Sequence, residues 1–151
     1  MECWIGNLER SHSAATVPVS IWEGEEMIRD MDLIRDVLLR IEAKSDLVPE
    51  KITIEGYEPL IVDRHVELMF KAGLIDGYCQ TGIEEGDPDF VDVRDLSWAG
   101  HELLGSVRDP DIWRNTKAAL AKSGEWTIAT MARVAQSLLF AKVREITGLD
   151  I

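Results

Sequence analysis

"PLIVDRHVELMFKAGLIDGYCQT", Pro59 to Thr81, passes from a helical pattern into a strand pattern with one glycine at the junction. Pro59 presets a helical φ and suits a first-turn position. At 100° per residue Ile61, Val62, His65, Val66, Met69 and Ala72 share one side, and Asp63, Arg64, Glu67 and Lys71 form a polar arc. Gly73 closes the helix. Leu74–Thr81 then reads as a strand, and "FVDVRDL", Phe90–Leu96, alternates as a second. Between them "GIEEGDPD", Gly82–Asp89, has the glycines, proline and aspartates of a hairpin tip.

Upstream, "KITI", Lys51–Ile54, alternates polar and β-branched residues and predicts a short strand. Before it, Asp30 can cap a helix reaching about Ala43, with Met31, Leu33, Ile34, Val37, Leu38 and Ile41 on one half of the wheel. Downstream, Ser97 can cap a helix starting at Trp98, and Asp109-Pro110 ends that helix and starts another, closed by Gly124. A last helix spans Thr127 to about Thr147. The order is helix, strand, helix, hairpin, helix, helix. This predicts an α+β, mainly α fold: a winged helix-turn-helix-like core with a β-hairpin wing, residues 59–72 as the would-be recognition helix, and extra C-terminal helices. Residues 27–124 form the winged-helix-like domain. Residues 1–26, with isolated Trp4 and Trp22 and no clear period, read as an N-terminal extension or arm.

Residues 125–151 form the C-terminal segment. Its helix is apolar nearly all round: Ile128, Ala132, Leu139, Phe140 and Val143 cover one side, and Met131, Val134, Ala135, Leu138 and Ala141 much of the other. Such a helix needs cover on more than one side. The expectation is a homodimer held by this helix, through Met131, Ala135, Leu138 and Leu139.

The 151 residues, 46% hydrophobic and 29% charged, describe a globular chain able to bury a sizeable core. The formal charge is −12, distributed as −4 over residues 1–26, −3 over 27–73, −6 over 74–95, +1 over 96–124 and 0 over 125–151. No basic tail appears. Cys3 and Cys79 are isolated, which argues against a disulfide framework or zinc site and suits a reducing cytoplasm. The N-terminal stretch lacks a basic start and an apolar core, so no signal peptide is expected, and no 18-residue apolar run predicts a membrane span. A cytoplasmic location is the expectation.

Four segments together resemble the bacterial and phage domain-of-unknown-function family numbered 2513. They are "RDMDLIRDVLLRIE", "HVELMFKAGLI", "LSWAGHELLGSVRDPDIWRNTK" and "TIATMARVAQSLL", spanning about residues 28–148. Within the third, Gly100, His101, Leu104, Arg108, Trp113, Thr116 and Lys117 carry the resemblance. It implies a winged-helix-like fold, often found in prophages and mobile regions, with no established activity and no catalytic residues to carry over. Residues 1–26 lie outside it, which puts the usual start near Met27.

Chemistry is sparse. A catalytic His101 needs a titratable partner within hydrogen-bond reach, and the adjacent Glu102 points elsewhere on a helix. His65, within an apolar stripe, reads as a satisfied core histidine, and Cys79 as a small strand hydrophobe. The spacing of His12, His65 and His101 matches no metal motif, the tip lacks the ligand spacing of an EF-hand, and no phosphate-binding glycine loop is present. No enzyme, metal or cofactor is expected. Trp98 and Trp113 are read as clamping the helix pair over the wing base, and Trp126 as a partner contact.

Nucleic-acid binding is doubtful. Affinity for DNA comes from neutralising phosphates with Lys and Arg. The polar arc of the would-be recognition helix cancels to zero, and the wing carries −6. The leading expectation is a non-enzymatic, protein-binding, self-associating module whose Glu84, Glu85, Asp87 and Asp89 meet a basic partner. The alternative is a DNA-binding transcriptional regulator using Arg64 and Lys71.

Overall fold

The computed structural model describes residues 29–85 and 89–151, so the expected N-terminal arm, residues 1–26, and Asp87 lie outside the described residues. The chain divides into two compact units, one ending at Ser97 and the other running from Trp98 to Ile151.

The first unit contains α1 (Met31–Glu42), β1 (Glu50–Lys51), α2 (Pro59–Lys71), β2 (Ile75–Gln80) and β3 (Phe90–Leu96). The Asp30 carboxylate accepts from the Leu33 N–H at 3.1 Å and caps α1. All six apolar residues predicted for its inner face are buried. Pro59 opens α2, and Gly73 follows it at φ +77°, a left-handed conformation that only glycine adopts without strain. Both helices pack on β3, and α2 also packs on β2.

The sheet is antiparallel with order β1-β3-β2, so β3 is central. β1 is shorter than predicted and shifted, pairing only Glu50 with Val93 and Lys51 with Asp92. Ile52 is buried just beyond it. Along β2 and β3 the register slips: Asp76 faces Asp95, but Gly77 faces Val93. Arg94 is thus an extra residue in β3, and the bulge shifts its alternation by one. Val91, Val93 and Leu96 are all buried as a result, where strict alternation would turn Asp95 inward. Gly77 makes this possible, since a Cβ there would lie 2.3 Å from the Asp92 carbonyl oxygen.

This is a winged-helix-like arrangement in a shortened form. A single helix, α2, stands between β1 and the hairpin, where the helix-turn-helix plan has two. Residues 52–58 make the connection instead.

The second unit is three helices: α3 (Trp98–Val107), α4 (Pro110–Ser123) and α5 (Ile128–Thr147). Asp109 caps α4 by accepting from the Asp111 and Ile112 N–H groups at 2.8 and 3.1 Å, with Pro110 in the first turn. Gly124 ends α4 at φ +72°. Thr127 caps α5 by accepting from the Thr130 N–H at 3.0 Å. α5 packs on both α3 and α4, and the Lys142 ammonium donates to Asp109. That contact holds the Asp109 carboxyl below the usual carboxylate range and raises Lys142. Among the described residues no helix is long and apolar enough to cross a membrane.

Candidate functional site

Two surfaces carry the predicted contact residues, one on each unit. On the first unit, Arg64 and Lys71 flank a largely buried carboxylate. The Arg64 guanidinium donates to Glu67 Oε2 at 2.7 Å, and Lys71 Nζ donates to Oε1 at 2.7 Å. Glu67, predicted on the solvated arc of α2, is buried beneath these two cations. Burial pushes its carboxyl up, but the hydrogen bonds from Lys71 and Arg64 outweigh that and hold it below the usual carboxylate range.

The same pattern recurs around the unit. Lys44 and Arg40 both reach Glu50, at 3.1 and 3.2 Å, and Lys44's hydrogen bond leads the causes that depress the Glu50 carboxyl. Lys51 pairs with Asp63 at 3.0 Å and lies over the Phe90 ring. Arg94, the extra residue of the bulge, pairs with Asp76. Residues 29–97 hold eight Lys and Arg against seventeen Asp and Glu, a net of −9.

At the hairpin tip Glu84 and Glu85 are exposed. Asp89 is half-buried, and its carboxylate accepts from the Gly82 N–H at 3.4 Å across the tip. Cys79, expected as an isolated thiol, is not a free cysteine, and Cys3 lies outside the described residues. His65 is the satisfied core histidine expected, 2% exposed. Its Nε2 accepts from the Asp30 N–H at 2.9 Å. Its Nδ1 therefore carries the proton and donates to the Ile61 carbonyl at 2.8 Å. Tyr57 stands near α1's N-terminal carboxylates, and its hydroxyl pKa is raised by burial and by Asp30, Asp36 and Asp32. Among the described residues no group of three or more His, Cys, Asp or Glu could hold a metal ion.

On the second unit the predicted dimer residues separate. Met131 and Ala135 are buried within the chain, so they are packed on its own helices. Leu138 is half-buried, and so is Leu139 on the wall of a groove. Trp113 is buried, with the Lys117 ammonium over its ring. Trp98 is not a clamp: it is 82% exposed. Trp126 is 38% exposed.

The groove runs between α3 and α5 and encloses about 500 Å³. Trp98, His101, Glu102 and Gly105 line one side, and Gln136, Leu139 and Phe140 the other. His101 is exposed here. The signal that identifies this face is in the sequence. Residues 98, 101, 102 and 105 recur at i, i+3, i+4 and i+7, and a helical wheel sets them opposite Leu103, Leu104 and Val107. The latter three are buried. Phe140 is 54% exposed, and Ile146, Leu149 and Ile151 continue the apolar exposure to the C-terminus.

A family model described as "Hypothetical protein (DUF2513)" matches residues 28–125. A protein of Haemophilus influenzae, named "Uncharacterized protein", is 32% identical over 118 residues, covering 75% of this chain and 96% of its own length. No solved structure matches the chain.

Proposed function

The chain belongs to the DUF2513 family of hypothetical proteins, and we propose that it is a non-enzymatic, self-associating module that binds other polypeptides, with its acidic first unit directed at a basic partner. One observation carries this reading: Arg40, Lys44, Lys51, Arg64, Lys71 and Arg94 are each ion-paired to a carboxylate of the same unit. A phosphate contact must displace such a partner. Releasing Arg64 or Lys71 would leave Glu67 under-compensated in a largely buried position, which is a costly state for a carboxylate. The net of −9 adds long-range repulsion from a polyanion and favours cationic partners. Among the described residues no second helix stands between β1 and α2, which leaves out half of the helix-turn-helix element that would seat α2 in a groove.

The test has two arms. In a mobility shift on random duplex DNA, low-micromolar protein is expected to leave the duplex unretarded at moderate salt. Retention that weakens with added salt and disappears in an Arg64→Ala/Lys71→Ala variant would establish the DNA-binding reading in its place. In the second arm a lysine-rich peptide is titrated against the protein. Binding is expected to fall severalfold on Glu84→Lys/Glu85→Lys reversal, and an unchanged affinity would remove the hairpin tip from the reading. Self-association is read by sedimentation, where a 17.0 kDa species at tens of micromolar would end that part of the proposal.

A further inference from the structure

We propose that the α3–α5 groove is a two-fold interface between copies of this chain, in which Trp98 of each copy fills the hollow over Gly105 of the other. The inference rests on the self-association proposed above and adds where and how it occurs.

The patch carries both halves of its own complement. Trp98 projects from the first turn of α3 and is mostly exposed. Gly105 lies two turns further along the same stripe, and a Cβ added there would meet nothing within 4 Å. A knob and a hole on one surface are what an isologous interface requires, because each copy must offer both.

The register follows from position. If two copies of α3 cross antiparallel with the two-fold axis at the peptide between His101 and Glu102, Trp98 faces the other copy's Gly105. The same axis sets His101 of each copy against Glu102 of the other. Both pairs, one of shape and one of imidazole against carboxylate, are centred on the same point of the helix, so a single register satisfies them together. No adjustment is needed between the hydrophobic contact and the electrostatic one.

Area and length agree. A fully buried Trp or Phe removes about 150–250 Å² from water. The exposed fractions of Trp98 and Phe140 in two copies therefore offer roughly 400–700 Å², about half the ~1,000 Å² of a stable interface. α5 is 20 residues long against 10 for α3 and 14 for α4, so it overhangs both by about 9 Å or more at 1.5 Å per residue. Ile146, 73% exposed, lies in its last turn and can extend the contact.

The experiment is sedimentation velocity of the full chain from 1 to 200 µM, on the parent and four variants. The parent is expected to reach twice the 17.0 kDa chain mass within that range. Trp98→Ala is expected to weaken the dimer at least tenfold. Gly105→Leu fills the hollow with a better helix former, so it is expected to keep or raise the melting temperature while becoming monomeric. His101→Glu sets carboxylates against each other and weakens the dimer, and the exchange variant His101→Glu/Glu102→His restores it. If the parent dimerises and Trp98→Ala or Gly105→Leu dimerises equally well, the groove is not the interface, although self-association stands. A parent that stays monomeric at 200 µM overturns both the proposal and the reading beneath it.

Discussion

Gly77→Ala tests whether the bulge sets the first unit's core. The added Cβ would sit 2.3 Å from the Asp92 carbonyl oxygen and 3.1 Å from the Val93 Cα, both backbone atoms of the central strand. Moving that first contact from 2.3 Å to 3.0 Å, the tightest distance real Cβ atoms tolerate, requires a relative shift of 0.7 Å. A ladder hydrogen bond near ~2.9 Å lengthened by that much no longer counts as one. One or two such bonds at about 1 kcal/mol each, together with overpacking strain of about 1–3 kcal/mol, give a loss of roughly 2–5 kcal/mol. That is a large share of the ~5–15 kcal/mol that holds a domain folded. The assay is urea unfolding by far-UV circular dichroism with hydrogen exchange at the β3 amides, because tryptophan fluorescence would mix Trp98, Trp113 and Trp126 of the second unit with Trp4 and Trp22 of the N-terminal segment. Exchange at Val91–Leu96 is expected to accelerate selectively. Gly105→Ala, measured at a concentration where the chain is monomeric, serves as the opposite control: in a helix interior with open space it should gain about 0.5–1 kcal/mol. A Gly77→Ala protein within 0.5 kcal/mol of the parent would refute the close-approach argument.

Three further perturbations follow from single observations. Thr116 is fully buried with no hydrogen-bond partner for its hydroxyl, so Thr116→Val should be neutral or stabilising by about 1 kcal/mol, raising the melting temperature by roughly 2–4 °C; a fall in melting temperature would show that the hydroxyl is satisfied. The depressed carboxyl of Glu67 contributes stability that is fully present above the unfolded value near 4.5 and is lost as pH falls through the lower folded value. Urea midpoints followed below pH 5 should therefore drop more steeply for the parent than for Glu67→Gln. Asp109→Ala removes both the α4 cap and the partner of Lys142, and should cost about 1–2 kcal/mol by thermal unfolding.

The helices and the hairpin were legible because their signals are local. Asp30, Pro59, Asp109, Gly124 and Thr127 stand where the helix ends are observed, and the α1 wheel named every residue that α1 buries. β1 was misjudged because "KITI" declares a β-prone stretch but not where its partner ends, and pairing with β3 reaches only Glu50 and Lys51. The bulge was illegible for the same reason: register belongs to two strands, and an alternation count on one cannot show an inserted Arg94. Glu67 was misplaced because periodicity gives an angle and not the reach of neighbouring side chains; Arg64 and Lys71 arch over it from one turn away. On the second unit, the all-round apolarity of α5 correctly signalled contacts on several sides but could not divide them. Met131 and Ala135 are covered within the chain, while Phe140 and Ile146 are left exposed. Trp98 was assigned by residue type when its helical phase, opposite Leu104 and Val107, placed it outside.

Duplex binding and self-association respond to salt with opposite sign. Duplex binding depends on counterion release and weakens as salt rises. Self-association of a chain carrying −12 brings two like-charged bodies together through an apolar patch. Screening, which shortens from about 30 Å at 0.01 M to about 10 Å at 0.1 M, removes most of that repulsion. The His101–Glu102 contacts between copies are two local polar pairs at a partly exposed rim, worth about 0–1 kcal/mol each, against mutual repulsion summed over the whole chain. The dimer is therefore expected to tighten severalfold between 0.01 and 0.1 M salt, with hydrophobic burial unchanged. A dissociation constant that rises steadily with salt would mean that opposite charges, and not the Trp98–Gly105 fit, hold the copies together.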